Sequence, residues 1–388
     1  MKSWAIAFFA LLTLAGCASE RVLPPADPAL FQDQRFGPPS APISAADIFT
    51  LTPEMKQYAQ QVLHKQQDKA LQQALFDALY SKGQLQLEYE STMTRNAAQA
   101  FDARAGNCLS LVIMTAALAR ELNLSVHFQS VVVDDSWSRS GNLYFSSGHV
   151  NLTLGKPKAH LAAYDATEFM TIDFLPPEDM RHQRALPIEE NTIVAMYLNN
   201  RAAESMVNGK IDDAYWYARK AIAYDSGFMN AYNTLGVIYQ HHGDVAAAER
   251  VLRYAHQQVP GNTVVMFNLA QALRDMNRPL EAQVLIDELA RLEPHPPFYF
   301  FNLGRAAMAQ HDYARARSLF ARELARDPYY HEFHFWMAAA SYMTGDLDDA
   351  DKHMKLALEN STARSDHDLY AAKLDHLKAV EARTRARQ

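Results

Sequence analysis

Cysteine is nearly absent from this chain: two among 388 residues, at positions 17 and 108. A basic excess is absent too. The formal net charge is −7, which gives no basic surface for nucleic acid. No P-loop or dinucleotide fingerprint occurs, so no nucleotide cofactor is expected. His241-His242, and His331 with His334, have no cysteine or carboxylate cluster at ligand spacing around them, so no metal is expected either. The apolar run from Trp4 to Leu14 falls short of the roughly 20 residues that a membrane-spanning helix needs, and with Lys2 before it reads as a cleaved secretory signal.

That signal closes on Leu14-Ala15-Gly16-Cys17, which resembles the bacterial lipobox. The resemblance implies cleavage over residues 1–17 and lipidation of Cys17. Ala18 rather than aspartate after it implies the periplasmic face of the outer membrane, with the membrane reached through the lipid anchor. Residues 18–49 carry Pro24, Pro25, Pro28, Pro38, Pro39 and Pro42 with little periodicity and read as a tether, extending about 3 Å per residue. Cys108 is then the one thiol of the mature protein with no intramolecular disulfide partner. In an oxidising compartment a retained lone thiol is expected to have work to do.

Folded structure is expected over residues 50–190. Thr52-Pro53-Glu54 reads as N-cap, first-turn proline and favourable acid, and Met55, Tyr58, Ala59, Val62 and Leu63 follow at helical spacing. Leu71, Leu75 and Leu79 continue the pattern. Residues 84–90 alternate as a short strand, and Thr94 reads as the cap of a further helix. Gly106 and Asn107 then break the pattern. From Leu109 an apolar face recurs at three and four residues through Leu122, so Cys108 lies at a helix N-terminus, where free N–H groups favour a thiolate. The alternative for the same position is a small buried hydrophobe. Behind it the period becomes two: strands over 126–133, 148–154 and 169–174, with a polar loop at 134–147.

Gly106-Asn107-Cys108, the helix ending Ala117-Leu118-Ala119-Arg120-Glu121-Leu122-Asn123-Leu124, the strand led by His149 and the strand with Asp173 together resemble the transglutaminase-like superfamily over roughly residues 50–185. The resemblance implies an α+β papain-like fold with Cys108 as nucleophile, His149 as base and acid, and Asp173 orienting the imidazole. These are the types the chemistry needs: a thiolate attacks an acyl carbon, an imidazole moves the proton, and a carboxylate fixes the tautomer. Asp165 competes with Asp173, which is preferred because it sits in an apolar strand where a charge needs a partner. The backbone N–H of Cys108 is one oxyanion donor; a second is unassigned. Trp137 in its polar loop either walls a cleft or anchors the loop.

From about Ile193 the chain becomes periodic. Gly236, Ala270, Gly304 and Ala338 recur every 34 residues, as do Ala214, Ala248, Ala282, Ala316 and Ala350, and Pro260, Pro294 and Pro328. Small residues where two helices cross, with proline at the repeat end, resemble the tetratricopeptide pattern. An all-α solenoid is therefore expected over residues 191–364, closed by a polar capping helix at 365–388. His334 and Ser341 stand where bulkier apolar residues are usual. Most aromatics of Phe298-Tyr299-Phe300-Phe301 and Tyr329-Tyr330 read as core, some as groove lining. The resemblances together imply a thiol-dependent acyl-transfer enzyme, a cysteine peptidase, amide hydrolase or transamidase acting on a peptide or protein substrate, with a groove that recruits the substrate or a protein partner. The alternative is a non-catalytic adaptor with a silent first domain.

Overall fold

A computed structural model describes residues 25–65, 70–80, 85, 87–90, 93–140, 143–157, 169–174, 184–361 and 364–385. Cys17, Asp165 and the expected signal lie outside the described residues.

The centre is a helix that is apolar nearly all round. α4 (Cys108–Glu121) buries every residue from Leu109 to Ala119, as an internal helix must. Around it pack α1 (Pro53–Lys65), α3 (Ala97–Ala103) and the sheet, with α2 (Leu71–Tyr80) leaning on α1 and on the sheet. α3 is started by Asn96, whose side chain accepts from Gln99 N while Gln99 returns the bond, a capping box. Thr94 does not cap it. Thr94 is 1% exposed and bonded elsewhere, because Asn96 lies closer to the first turn and offers the same acceptor.

Of the strand expected over 84–90, only β1 (Glu88–Tyr89) forms among the described residues. It pairs in parallel with β2 (Ala105–Gly106), which leads directly into α4. A Cβ at Gly106 would stand 2.7 Å from Ser110 Cβ, so glycine is required there.

The sheet is antiparallel throughout, in the order β5 (Met170–Ile172), β4 (Leu143–Pro157), β3 (Leu124–Ser140), β6 (Arg184–Ile188). The loop expected at 134–147 is mostly hairpin. Pairing shifts between Val131 and Ser136, then continues from Ser136↔Ser147 to Ser140↔Leu143. Ladder bonds use the backbone, so a polar stretch extends a hairpin as readily as an apolar one once its partner is in register. His149 consequently sits inside β4, opposite Val131, rather than at its start.

From α5 (Glu190–Val207) the chain stacks antiparallel helix pairs: α5 with α6 (Ile211–Tyr224), α7 (Met229–His242) with α8 (Val245–Gln258), α9 (Thr263–Asp275) with α10 (Pro279–Leu292), α11 (Tyr299–Ala309) with α12 (Tyr313–Leu324), and α13 (His331–Met343) with α14 (Leu347–Glu359). α15 (Arg364–Arg385) closes the stack, burying Tyr370 and Leu374 against Met354 and Ala357. The small-residue period has a steric origin. A Cβ at Gly236 would lie 2.5 Å from Leu252 Cγ, and one at Gly304 2.5 Å from Phe320 Cε1. The alanines at 214, 248, 282, 316 and 350 are fully buried at the equivalent crossings. His334 and Ser341 are buried and satisfied: His334 reaches Pro328 O and His353, and Ser341 donates to Asp349 at 2.6 Å.

Residues 25–49 are not a free tether. Leu30, Phe36 and Ile48 are buried, and Phe36 stacks on Tyr215 with centroids 3.9 Å apart. Trp216 Nε1 donates to Gly37 O at 2.6 Å, Tyr239 donates to Leu30 O at 2.9 Å, and Arg219 pairs with Asp33 at 2.8 Å. The segment lacks periodicity because it forms almost no secondary structure of its own. Single apolar residues seat in sockets that α6 to α8 supply. One buried cluster runs from Leu30 to Leu285, so the core is continuous across the expected junction at 190–191.

Candidate functional site

Asn107 caps α4: its Oδ1 accepts from Ser110 N at 2.9 Å and from Ser110 Oγ at 2.8 Å. This fixes Cys108 as the first helical residue, half-buried and without a disulfide. The β1–β2 pair holds the preceding residues from the other side, with Glu90 N donating to Gly106 O at 3.0 Å.

His149 comes from β4 and is 4% exposed. Asp173 follows the end of β5, which pairs with β4 through Leu152↔Ile172 and so brings the carboxylate alongside the ring. His149 Nε2 and Asp173 Oδ1 are 2.6 Å apart, and Asn151 Nδ2 donates to Asp173 Oδ2 at 2.8 Å. His149 and Asn151 are two residues apart on one strand, hence on one face. Cys108 lies near enough to the same imidazole to raise its pKa. The structure therefore brings Cys108, His149 and Asp173 together.

Burial disfavours a charged ring at this position, yet the hydrogen bonds to Asp173 and Cys108, with the charges of both, push the His149 pKa up to about 9. Asp173 and Cys108 thus both favour the charged ring. Two tyrosines border the group. The Tyr80 hydroxyl is raised by burial and by the Asp173 charge; Tyr89, 44% exposed, is raised where its hydroxyl faces the Cys108 charge. Sequence reasoning missed Asn151, Tyr80 and Tyr89. Asn151 was signalled by its place two residues beyond His149; the tyrosines looked like ordinary apolar positions of their elements. Among the described residues no group of three or more His, Cys, Asp or Glu is arranged to hold a metal ion.

A groove of about 650 Å³ opens on α11 and α13, far along the chain from Cys108, lined by Asn302, Arg305, Met308, Tyr313, Trp336 and Met343. Arg305 lies over the Trp336 ring, 5.2 Å from its centroid.

Residues 239–299 and 301–364 match two family models, each described as tetratricopeptide repeat. The C-terminal half is a tetratricopeptide solenoid. No curated protein matches the chain. Solved structures similar to it include YrrB, a tetratricopeptide protein with an unusual peptide-binding site, at 19% identity over 46% of this chain and 92% of that one, TM-score 0.25. A thermophilic tetratricopeptide protein of Thermus thermophilus, TTC0263, is 17% identical over 46% and 98%, TM-score 0.31. PilW, a type IV pilus biogenesis factor, is 22% identical over 48% and 86%, TM-score 0.28. The tetratricopeptide assignment rests on the family models and on the 34-residue period. No helix among the described residues is long and apolar enough to cross a membrane.

Proposed function

We propose that the chain is a thiol-dependent acyl-transfer enzyme acting on peptide or protein amides, with the tetratricopeptide solenoid recruiting the substrate or a partner protein. The observation that carries the reading is the imidazole of His149, 2.6 Å from Asp173 and with its pKa raised by Cys108 as well. A helix bearing the thiol, followed by an antiparallel sheet bearing the imidazole and the carboxylate, also supports the transglutaminase-like reading of residues 50–185.

Cys108 Sγ attacks the amide carbonyl carbon, and the pair of electrons displaced onto oxygen is met by the Cys108 N–H at the start of α4. His149 gives its proton to the leaving nitrogen, the C–N bond breaks, and an acyl thioester remains. His149 then takes a proton from water as the water oxygen bonds to the acyl carbon, and the C–S bond breaks to return the thiolate beside a protonated His149. Asp173 keeps the ring oriented throughout. Hydrolysis is preferred over transamidation because water needs no second binding site. The lipobox reading of residues 1–17 would keep this chemistry at the periplasmic face of the outer membrane; loss of acyl labelling in Cys17→Ser would support it, and unchanged labelling would refute it.

Iodoacetamide below pH 7 tests the thiol reading. Rapid alkylation at Cys108 is expected, slowed at least about tenfold in His149→Ala. Equal, slow labelling of both proteins would favour the second reading, a protein-binding adaptor with a silent first domain. The tetratricopeptide matches and the Arg305–Trp336 groove favour that reading. Its own test is partner capture from envelope extract, lost in Arg305→Ala/Trp336→Ala and indifferent to Cys108→Ala.

A further inference from the structure

The cap of the cysteine helix is tied to the first helix of the solenoid through one buried residue. Asn107 Oδ1 is fully used by Ser110, and its Nδ2 donates to Thr94 Oγ1 at 2.9 Å. Thr94 Oγ1 also accepts from Asn200 Nδ2 at 3.2 Å, and Thr94 N donates to Glu204 Oε1 at 2.6 Å. Asn200 and Glu204 are one turn apart on α5, and Arg201 Nη1 donates to Glu204 Oε2 at 2.8 Å. The neighbouring backbone is fastened to the same turn of α4, since Arg95 N donates to Ser110 Oγ at 2.8 Å. Thr94 is 1% and Ser110 0% exposed, so water does not compete for these bonds.

The Glu204 side chain is 21% exposed. Desolvation raises its pKa, against the opposing bond from Thr94 and the charge of Arg201. A carboxylate on a solenoid helix whose bond goes to the residue that holds the cysteine-helix cap does more than join two helices. We propose that Asn200 and Glu204 are positioning residues for Cys108: through Thr94 they fix the Asn107 cap and so aim the first turn of α4 at His149. The solenoid is thereby part of the thiol site's scaffold, and α5 belongs to that site as much as to the repeats. The inference rests on the thiol reading above, because the orientation matters only if the sulfur reacts.

The test measures the alkylation rate at Cys108 by peptide mass spectrometry on the full chain from pH 5 to 9. The proteins are wild type, His149→Ala, Thr94→Val, Thr94→Ser and Asn200→Ala. Thr94→Val is nearly isosteric and deletes the acceptor that Asn107 and Asn200 share; Thr94→Ser retains it. The expected result is a loss of about tenfold in Thr94→Val and a smaller loss in Asn200→Ala, with the fall steepest at the acid end, and Thr94→Ser close to wild type. Rescue by serine separates positioning from mere packing. Asn200 is only half-buried, so Asn200→Ala decides the matter if Thr94→Val fails to fold. Wild-type rates and pH profile in Asn200→Ala and in folded Thr94→Val, with His149→Ala slow, would overturn this inference and leave the thiol reading standing. Wild-type rates in His149→Ala would overturn the thiol reading, and this inference with it.

Discussion

Asp173 and Cys108 both act on His149, so each alone accounts for part of its raised pKa. The sign follows. A histidine whose folded pKa is lifted from 6.5 to about 9 contributes stability that is complete below pH 6.5 and is lost as pH rises through about 9. In Asp173→Asn, and separately in Cys108→Ser, the imidazolium is expected to titrate at a lower pH than in wild type, read by histidine NMR. A ring that still titrates near 9 in both variants would mean that neither partner holds it. Acylation should likewise decline above about pH 9, where the leaving nitrogen loses its acid. Gly106 sets the other end of the geometry. Gly106→Ala places a carbon 2.7 Å from Ser110 Cβ and must displace the first turn of α4. A loss of about 1–3 kcal/mol in unfolding free energy is expected, with slowed alkylation at Cys108. Cys108 was legible as a residue in the sequence because a single unpaired thiol before an apolar helix stands out. The Thr94–Asn107 bond was not, because nothing local tells a buried threonine that bonds across the fold from one that caps a helix.

At the scale of elements, what repeats was legible and what pairs was not. The 34-residue recurrence of Gly236, Ala270, Gly304 and Ala338 encodes the helix crossings, since a Cβ at Gly236 or Gly304 meets the facing helix and Ala270 and Ala338 are buried. The register of β3 against β4 through polar residues 136–147, and the edge strand β6, depend on partners distant in sequence, which alternation alone does not reveal. The α13–α14 pair shows the consequence of a polar residue at a repeat's apolar position. His334 Nδ1 and His353 Nδ1 are 2.9 Å apart, and His334 Nε2 is bonded to Pro328 O. Burial lowers the His353 pKa to about 4. Asp349 opposes the fall, and His334, Lys352 and Arg317 assist it. The folded pair thus excludes a proton that the unfolded chain takes up at pH 6.5. Its contribution is present above pH 6.5 and is lost as pH falls towards 4, up to about 3 kcal/mol. Hydrogen exchange in α13 and α14 should accelerate between pH 6 and 4 before that of α7 and α8. His353→Gln should flatten this dependence; an unchanged profile would refute the assignment.

The whole molecule is braced by a segment that composition alone assigns to solvent. Residues 25–49 bond to α6 and α7, and Ile48 O accepts from Ala97 N while Phe49 packs on Phe128, so the segment links the two halves of the core independently of α5. Phe36 is the anchor with most to lose. It is 7% exposed, stacked on Tyr215, with His242 at 4.4 Å and Tyr239 at 5.9 Å. Its removal opens a socket walled by two tyrosines whose hydroxyls are already committed, Tyr239 to Leu30 O and Tyr215 to Asp33, so the walls have little freedom to collapse. Phe36→Ala is therefore expected near the usual cost of emptying an aromatic site, about 3 kcal/mol, as a lowered guanidinium chloride midpoint with nearly unchanged slope. Arg35→Ala, which removes an ion pair whose arginine is half exposed, should shift the midpoint little. The contrast is the test. If both variants unfold like wild type, residues 25–49 are a spacer resting on the surface. A shift in Phe36→Ala alone means that the segment is a structural member joining the thiol half of the chain to its solenoid.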